Sequence, residues 1–442
     1  MPAVKPGKVT GRVRSLVEWA ANRRDVAIIA AALALIELCY IIYLRRPLII
    51  GLDFSSYYTW AFAIRRHLNP YRGDLTPLAS RLGLSIGTVL RTNYPPTTLL
   101  LFEQFVKFRP IVAYWIWISL SAVLFVAALT LMLTAELPMP LAAIAAVFAI
   151  SYLPVDIHFV FAQIQIPLLF LFVLVMRELR QNRQDTAGSI LALAGLLKIF
   201  PMLLIIYFVS DRRWKGVACA GLVFVFGFVL SMLLMGRDAL DFFGAFVRTA
   251  LPGHGAPILP IVSIPGAYFR FYEFFSTKAD IRAHHLGSLT FVSTLTNLLV
   301  LALALRAALR LRERGKSLEP AFGLLITTTV LVTPIAWPHY MVLLLIPLAQ
   351  LAFAAYRGTA TRLAIALGIA AYLLADVAIE LSRIEYYVYG HQVLADQISE
   401  GLFWSVVLTF AASYVMILQD SRREPSTDTA ALTQSSHAAS PA

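Results

Sequence analysis

The chain has 442 residues, of which 59% are apolar and only 14% charged, with a mean hydropathy of +0.74. One soluble core cannot hide that much apolar surface, so lipid must solvate part of it, which excludes an ordinary soluble domain. The net charge of +12 comes from basic residues scattered over short loops. It lacks the basic stripe interleaved with aromatics that a duplex requires, so nucleic acid is excluded as a partner.

In chain order, residues 1–25 form a basic leader with Lys5, Lys8, Arg12, Arg14, Arg23 and Arg24, expected in the cytoplasm. The apolar run 26–44 has no small-residue cleavage site and reads as an uncleaved anchor. Similar runs recur to Met416 without strict alternation. They predict an all-α polytopic membrane protein with about 10–12 transmembrane helices, not a barrel. A first outer loop is expected over about 46–93, and seven arginines stand between 45 and 93.

Two arrangements fit the middle of the chain. In one, 94–107 is a short re-entrant piece, 163–178 runs inward, and 187–210 is a hairpin broken at Lys198-Ile199-Phe200-Pro201. In the other, 94–107 and 187–210 are complete spans. The first is favoured because it keeps Arg177, Arg180 and Arg183 inside and Asp156 outside. Beyond it, apolar runs at about 214–235, 287–309, 319–335, 338–355, 361–379 and 401–418 alternate with loops of contrasting charge. The basic loop Arg306–Lys316, with Arg357 and Arg362, is expected in the cytoplasm, which puts a second long outer loop at about 236–286. The transmembrane domain thus covers 26–419, and 420–442, rich in Ser, Thr and Ala, is expected to be a disordered cytoplasmic tail. Cys39 and Cys219 both fall in apolar runs, with neither disulfide nor zinc spacing.

Five places could carry chemistry. Asp53 follows the first apolar run directly. As a residue type it suits a helix N-cap and a general base equally well. The segment after it, 54–68, places Phe54, Tyr57, Tyr58, Ala61, Ile64 and Leu68 on one side, the pattern of an interfacial helix anchored by aromatics. Arg91 and Tyr94 beside Pro95-Pro96 could meet a phosphate, since arginine can bind one bidentately. Lys198 is an ionisable group in a long apolar stretch, where function and a snorkelling helix end compete. His339 could donate to a phosphate or a sugar hydroxyl, or be an interfacial belt residue beside Trp337 and Tyr340. Asp156 and His158 could orient an acceptor, but one Asp-x-His is a poor metal signal, and no metal or other cofactor is expected.

The ordered motifs Asp53-Phe54 with Tyr57-Tyr58, Asn69-Pro70-Tyr71, Tyr94-Pro95-Pro96, Ala162-Gln163-Ile164-Gln165, Gly195-Leu196-Leu197-Lys198-Ile199-Phe200-Pro201 with Arg213-Trp214, and Pro334-Ile335-Ala336-Trp337-Pro338-His339-Tyr340 carry a resemblance. Over about 50–350 the chain resembles the bacterial polyprenol-phosphate-mannose-dependent α-1,2-mannosyltransferases of the glycosyltransferase-C superfamily. It departs at Ala162-Gln163-Ile164-Gln165, where that family usually shows Gly-Gln-x-Asn. The resemblance implies a glycosyltransferase-C-like fold with a catalytic first outer loop, and inverting transfer of a hexose, mannose first, from a polyprenyl-phosphate carrier to a glycan or glycolipid hydroxyl. It assigns the base to Asp53 and lipid-phosphate binding to Lys198, with His339, Arg91 and Tyr94 as further donor-side candidates and Gln163 joining Asp156 and His158 as orienting residues. The protein is then expected in a bacterial inner membrane, multi-pass, surrounded by lipid, with its active site on the extracytoplasmic face. A polysaccharide polymerase or ligase and a lipid-linked sugar flippase share the spans and remain the alternatives. No Walker loop or dinucleotide motif supports a soluble nucleotide donor.

Overall fold

The computed structural model describes residues 11–44, 50–84, 89, 92–250, 261–273, 275–277, 281–390 and 392–420. Arg91, singled out above, lies outside the described residues, as does the tail from 421. In chain order the α-helices are α1 Gly11–Ala21, α2 Arg24–Cys39, α3 Leu52–Arg65, α4 Thr76–Arg81, α5 Pro96–Glu103, α6 Pro110–Leu133 and α7 Met139–Ser151. There follow α8 Leu153–Phe161, α9 Gln165–Arg180, α10 Gln184–Leu197, α11 Ile205–Ser210, α12 Trp214–Met235, α13 Asp241–Ala250 and α14 Ile264–Glu273. The last are α15 Leu286–Glu313, α16 Glu319–Val332, α17 Leu345–Tyr356, α18 Arg362–Tyr387, α19 Gln392–Ile398 and α20 Glu400–Asp420. The fold is all-α, that of a polytopic membrane protein.

Among the described residues, 7 helices are long and apolar enough to cross a membrane, or 8 if the bent pair α7–α8 counts as one. The other apolar runs form shorter helices, and their sequences explain why. Pro96, Pro154 and Pro320 each sit in a first turn, where the missing N–H is an orphan anyway, and so fix where these helices begin. Thr327, Thr328, Thr329 and Thr333 return their hydroxyls to carbonyls one turn back, at 2.6 to 3.0 Å, and the helix gives way to Pro334.

Two hairpins organise the centre. The first runs up α10, breaks at Lys198-Ile199, and returns through a 3₁₀ turn (Phe200–Leu204) into α11, as in the first arrangement above. Its two limbs meet at the base. A Cβ on Gly216 would come within 2.5 Å of Phe208 and 2.7 Å of the Gln184 carbonyl. A Cβ on Gly188 would lie 2.0 Å from the Gly216 carbonyl, so α10 and α12 pack backbone to backbone through glycine. The second hairpin runs up α16, turns through 333–337, and returns through a 3₁₀ stretch (Pro338–Leu344) into α17. Gln350 Nε2 donates to the Glu319 carbonyl at 2.8 Å and closes its base.

The two bases lie at one end of the molecule. Arg180 pairs with Glu319 and, at 3.0 Å, with Glu136, while Arg312 Nη1 donates to the Ser210 carbonyl at 3.1 Å. Both tips therefore point to the other end, where the rings of Phe200 and Tyr340 meet at 5.1 Å.

Helix α3 differs from the interfacial anchor expected for 54–68. Phe54, Tyr57, Tyr58 and Trp60 are all buried, packed on Phe102, Tyr114 and Tyr94. An apolar helical face looks the same in sequence whether protein or lipid covers it, and here protein covers it.

Candidate active site

The site begins where two backbones touch. A Cβ on Gly51 would lie 2.9 Å from the Val160 carbonyl and 3.0 Å from Ala162 Cβ, so the start of α3 abuts the end of α8 only because residue 51 is glycine. Ala162 ends α8 in the left-handed region at φ 55°, held by Trp117 Nε1 donating to its carbonyl at 2.9 Å. A non-glycine residue there costs on the order of 1 kcal/mol. That turn aims Gln163 across at Asp53.

Gln163 Nε2 donates to Asp53 Oδ2. Its Oε1 accepts from Tyr57 Oη at 2.6 Å and from Tyr94 Oη at 3.4 Å, which fixes which way the amide faces. The two phenol oxygens are 2.8 Å apart, and Lys198 Nζ donates to Tyr94 Oη at 3.1 Å. Hydrogen-bond donation thus runs in one direction, from Lys198 through the tyrosines and Gln163 to Asp53, an arrangement in which each bond polarises the next.

The N-cap reading of Asp53 does not hold. The N-cap is Gly51, no side chain caps the helix, and Asp53 stands in the first turn. There the helix N-terminus still favours its charge. Burial dominates, however, and pushes the Asp53 carboxyl up to about 6, against the opposing pull of the Gln163 amide and the Lys198 charge. Burial and the Asp53 charge also raise Tyr94, so that phenol stays protonated and able to donate.

Lys198 does not snorkel to the surface. Its ammonium lies 4.1 Å from the Tyr340 ring centre and 4.9 Å from that of Tyr94, a cation enclosed by aromatic faces. Its backbone is also held. Thr98 Oγ1 donates to the Leu197 carbonyl at 2.6 Å and to that of Leu196 at 3.2 Å, and Thr97 Oγ1 also donates to Leu196. The threonines of α5 thereby satisfy carbonyls left over at the end of α10. Tyr94, Lys198 and Tyr340 line a cavity of about 230 Å³ whose other walls include Phe200, Leu203, Val332 and Phe246.

His339 is buried at the second tip, its ring 5.3 Å from that of Tyr340, and its Nε2 has no hydrogen-bond partner among the described residues. The structure therefore brings Asp53, Tyr94, Gln163, Lys198 and His339 to one end of the bundle. Asp156 serves a different contact: its Oδ2 is 2.7 Å from Arg383 Nη2, tying α8 to α18. His158 is fully buried against the Phe159 ring at 5.3 Å. Tyr57 and Tyr340 went unassigned in the sequence. Tyr57 stands four residues after Asp53, on the same helical face, and Tyr340 follows His339 directly.

Gln163→Leu removes the amide while keeping bulk. With one stabilising hydrogen bond to the carboxylate gone, Asp53 should become harder to ionise. The acid limb of the activity profile should then move to higher pH, with activity at pH 7 reduced roughly tenfold or more. An unmoved profile would show that Gln163 only fills space.

A partly buried carboxylate, a lysine and a histidine are thus gathered at one end of a multi-span helical bundle. Residues 92–334, more than half of the chain, match glycosyltransferase family 87. The chain belongs to that family and is a membrane glycosyltransferase. Tyr94, Gln163 and Lys198 lie within the matched segment, and Asp53 and His339 flank it. No curated protein and no solved structure matches the chain.

Proposed function

We propose that this glycosyltransferase moves a hexose, mannose first, from a polyprenyl-phosphate carrier to a hydroxyl of a glycan or glycolipid, inverting the anomeric centre. The observation that carries the reading is the joined pair of charges: a carboxylate and an ammonium linked through Gln163, Tyr57 and Tyr94, with the ammonium facing an apolar-walled cavity. A lipid phosphate has the matching form, an anion on an apolar tail.

In the step, the acceptor oxygen bonds to C1 of the sugar as the bond from C1 to the phosphate oxygen breaks, and the electron pair leaves with the phosphate. The acceptor proton passes to Asp53. Gln163 occupies Oδ2, which leaves Oδ1 for the incoming hydroxyl. Lys198 offsets the charge on the departing phosphate, and His339 Nε2 supplies a further polar contact on the same side. Tyr94 couples the two groups. By this reading the reaction takes place on the extracytoplasmic face of a bacterial inner membrane, where the tips of both hairpins would lie.

The pH dependence follows from Asp53. A general base works only when ionised, so with its carboxyl pushed up to about 6, activity should fall tenfold per unit below that pH, and because burial pulls the Lys198 ammonium down to about 7, it should decline again above that value as the lysine loses its charge. Initial rates between pH 4.5 and 8 on lipid-linked donor test this, and a rate that holds constant down to pH 4.5 would remove Asp53 from the role.

A further inference from the structure

A second cavity, of about 520 Å³, lies away from the site, between α6, α7, α17 and α18. That volume falls within the roughly 300–1,000 Å³ of ordinary ligand pockets, but almost every lining group is aliphatic or aromatic, as at Leu133, Phe148, Leu348 and Ile369. Along α17 the lining runs from Leu345 to Ala355, about 15 Å at the helical rise, which is half of a hydrocarbon layer about 30 Å thick. The groove therefore spans one leaflet.

Its ends differ. Leu137, Ala355 and Ile365 mark the end shared with the hairpin bases, and the charges gather there. Arg357 Nη2 lies 3.4 Å from Glu136, which also pairs with Arg180. Arg362 is exposed in the first turn of α18, four residues after Gly358. Arg357 and Arg180 thus share Glu136 at the mouth of an apolar groove one leaflet deep, Arg180 also pairs with Glu319, and Arg362 stands exposed at the start of the helix that lines the groove.

We propose that this groove holds an acyl chain of an anionic phospholipid whose phosphate rests on Arg357 and Arg362. Charge complementarity selects the headgroup, and the depth selects a tail of one leaflet. The consequence reaches the active site through α17, which continues directly from the tip bearing His339 and Tyr340. An occupied groove would brace that hairpin against α6 and α18. The inference does not depend on which sugar donor the enzyme uses.

Intact-protein mass spectrometry of the full chain, released from mild detergent, tests it. An anionic phospholipid should stay bound at about one per chain. Arg357→Gln with Arg362→Gln should weaken retention roughly tenfold or more. Ala352→Trp, which fills the groove from an exposed wall position, should weaken it similarly, whereas Val225→Trp on exposed α12 should leave it unchanged. Should Ala352→Trp fail to fold, the arginine pair decides. The proposal is overturned if no lipid is enriched, if the arginine pair retains it as well as the unaltered chain does, or if the retained lipid is zwitterionic or a polyprenyl phosphate.

Discussion

Asp53→Asn should abolish sugar transfer to within about one part in 10²–10⁴ of the unaltered rate, the usual contribution of a positioned base. The substitution is nearly isosteric, and an asparagine oxygen can still accept from Gln163 Nε2. The network should therefore survive while the proton acceptor is lost. Stability should move the other way. The folded carboxyl sits at about 6, above the ordinary aspartate range, so the unfolded chain ionises first. Between those values each rise in pH favours the unfolded state, and at pH 7 the ionised carboxylate is a net cost to the fold. Asparagine removes that cost, so the variant should melt no earlier than the unaltered protein at pH 7. Inactivity with an unchanged or higher melting temperature marks a functional residue. Inactivity with early melting would mark a structural one.

Lys198→Met should be nearly as damaging. It keeps an apolar stem of similar length between Tyr94 and Tyr340 and deletes the charge. Loss of one group that stabilises developing negative charge typically costs about 10²–10³ in rate. Removing an ammonium from an aromatic enclosure also removes a desolvation cost, so the fold should hold. Lys198→Arg should not restore the rate, because the longer, planar and delocalised guanidinium places its charge and donors differently from the compact ammonium that donates to Tyr94 Oη. Rates and melting curves of both variants, side by side, check this. Near-normal transfer in Lys198→Met would detach the lysine from the phosphate.

Much of this arrangement can be read in the sequence, for reasons that differ by residue. The membrane class follows from apolar runs that no soluble core can hold. The break at Lys198-Ile199-Phe200-Pro201 is legible because a charge and a helix breaker fall together in an otherwise apolar stretch. The contact between Gln163 and Asp53 is not, since it joins positions 110 residues apart through a turn at Ala162 that the sequence disguises with a non-glycine residue. Asp156 is a similar case. In sequence it stands beside His158 as a possible orienting pair, but its partner is Arg383, 227 residues away. Helix α3 shows the remaining ambiguity: its apolar face suits a lipid interface and a protein core equally, and only the neighbours decide.

The donor is the centre of the account, and one competition assay tests it most directly. Purified protein is given a glycolipid acceptor together with two differently labelled donors, polyprenyl-phosphate-mannose and a nucleotide-activated mannose. Product should carry the lipid donor's label alone, and this label should disappear in Asp53→Asn. Product labelled from the nucleotide sugar would contradict it.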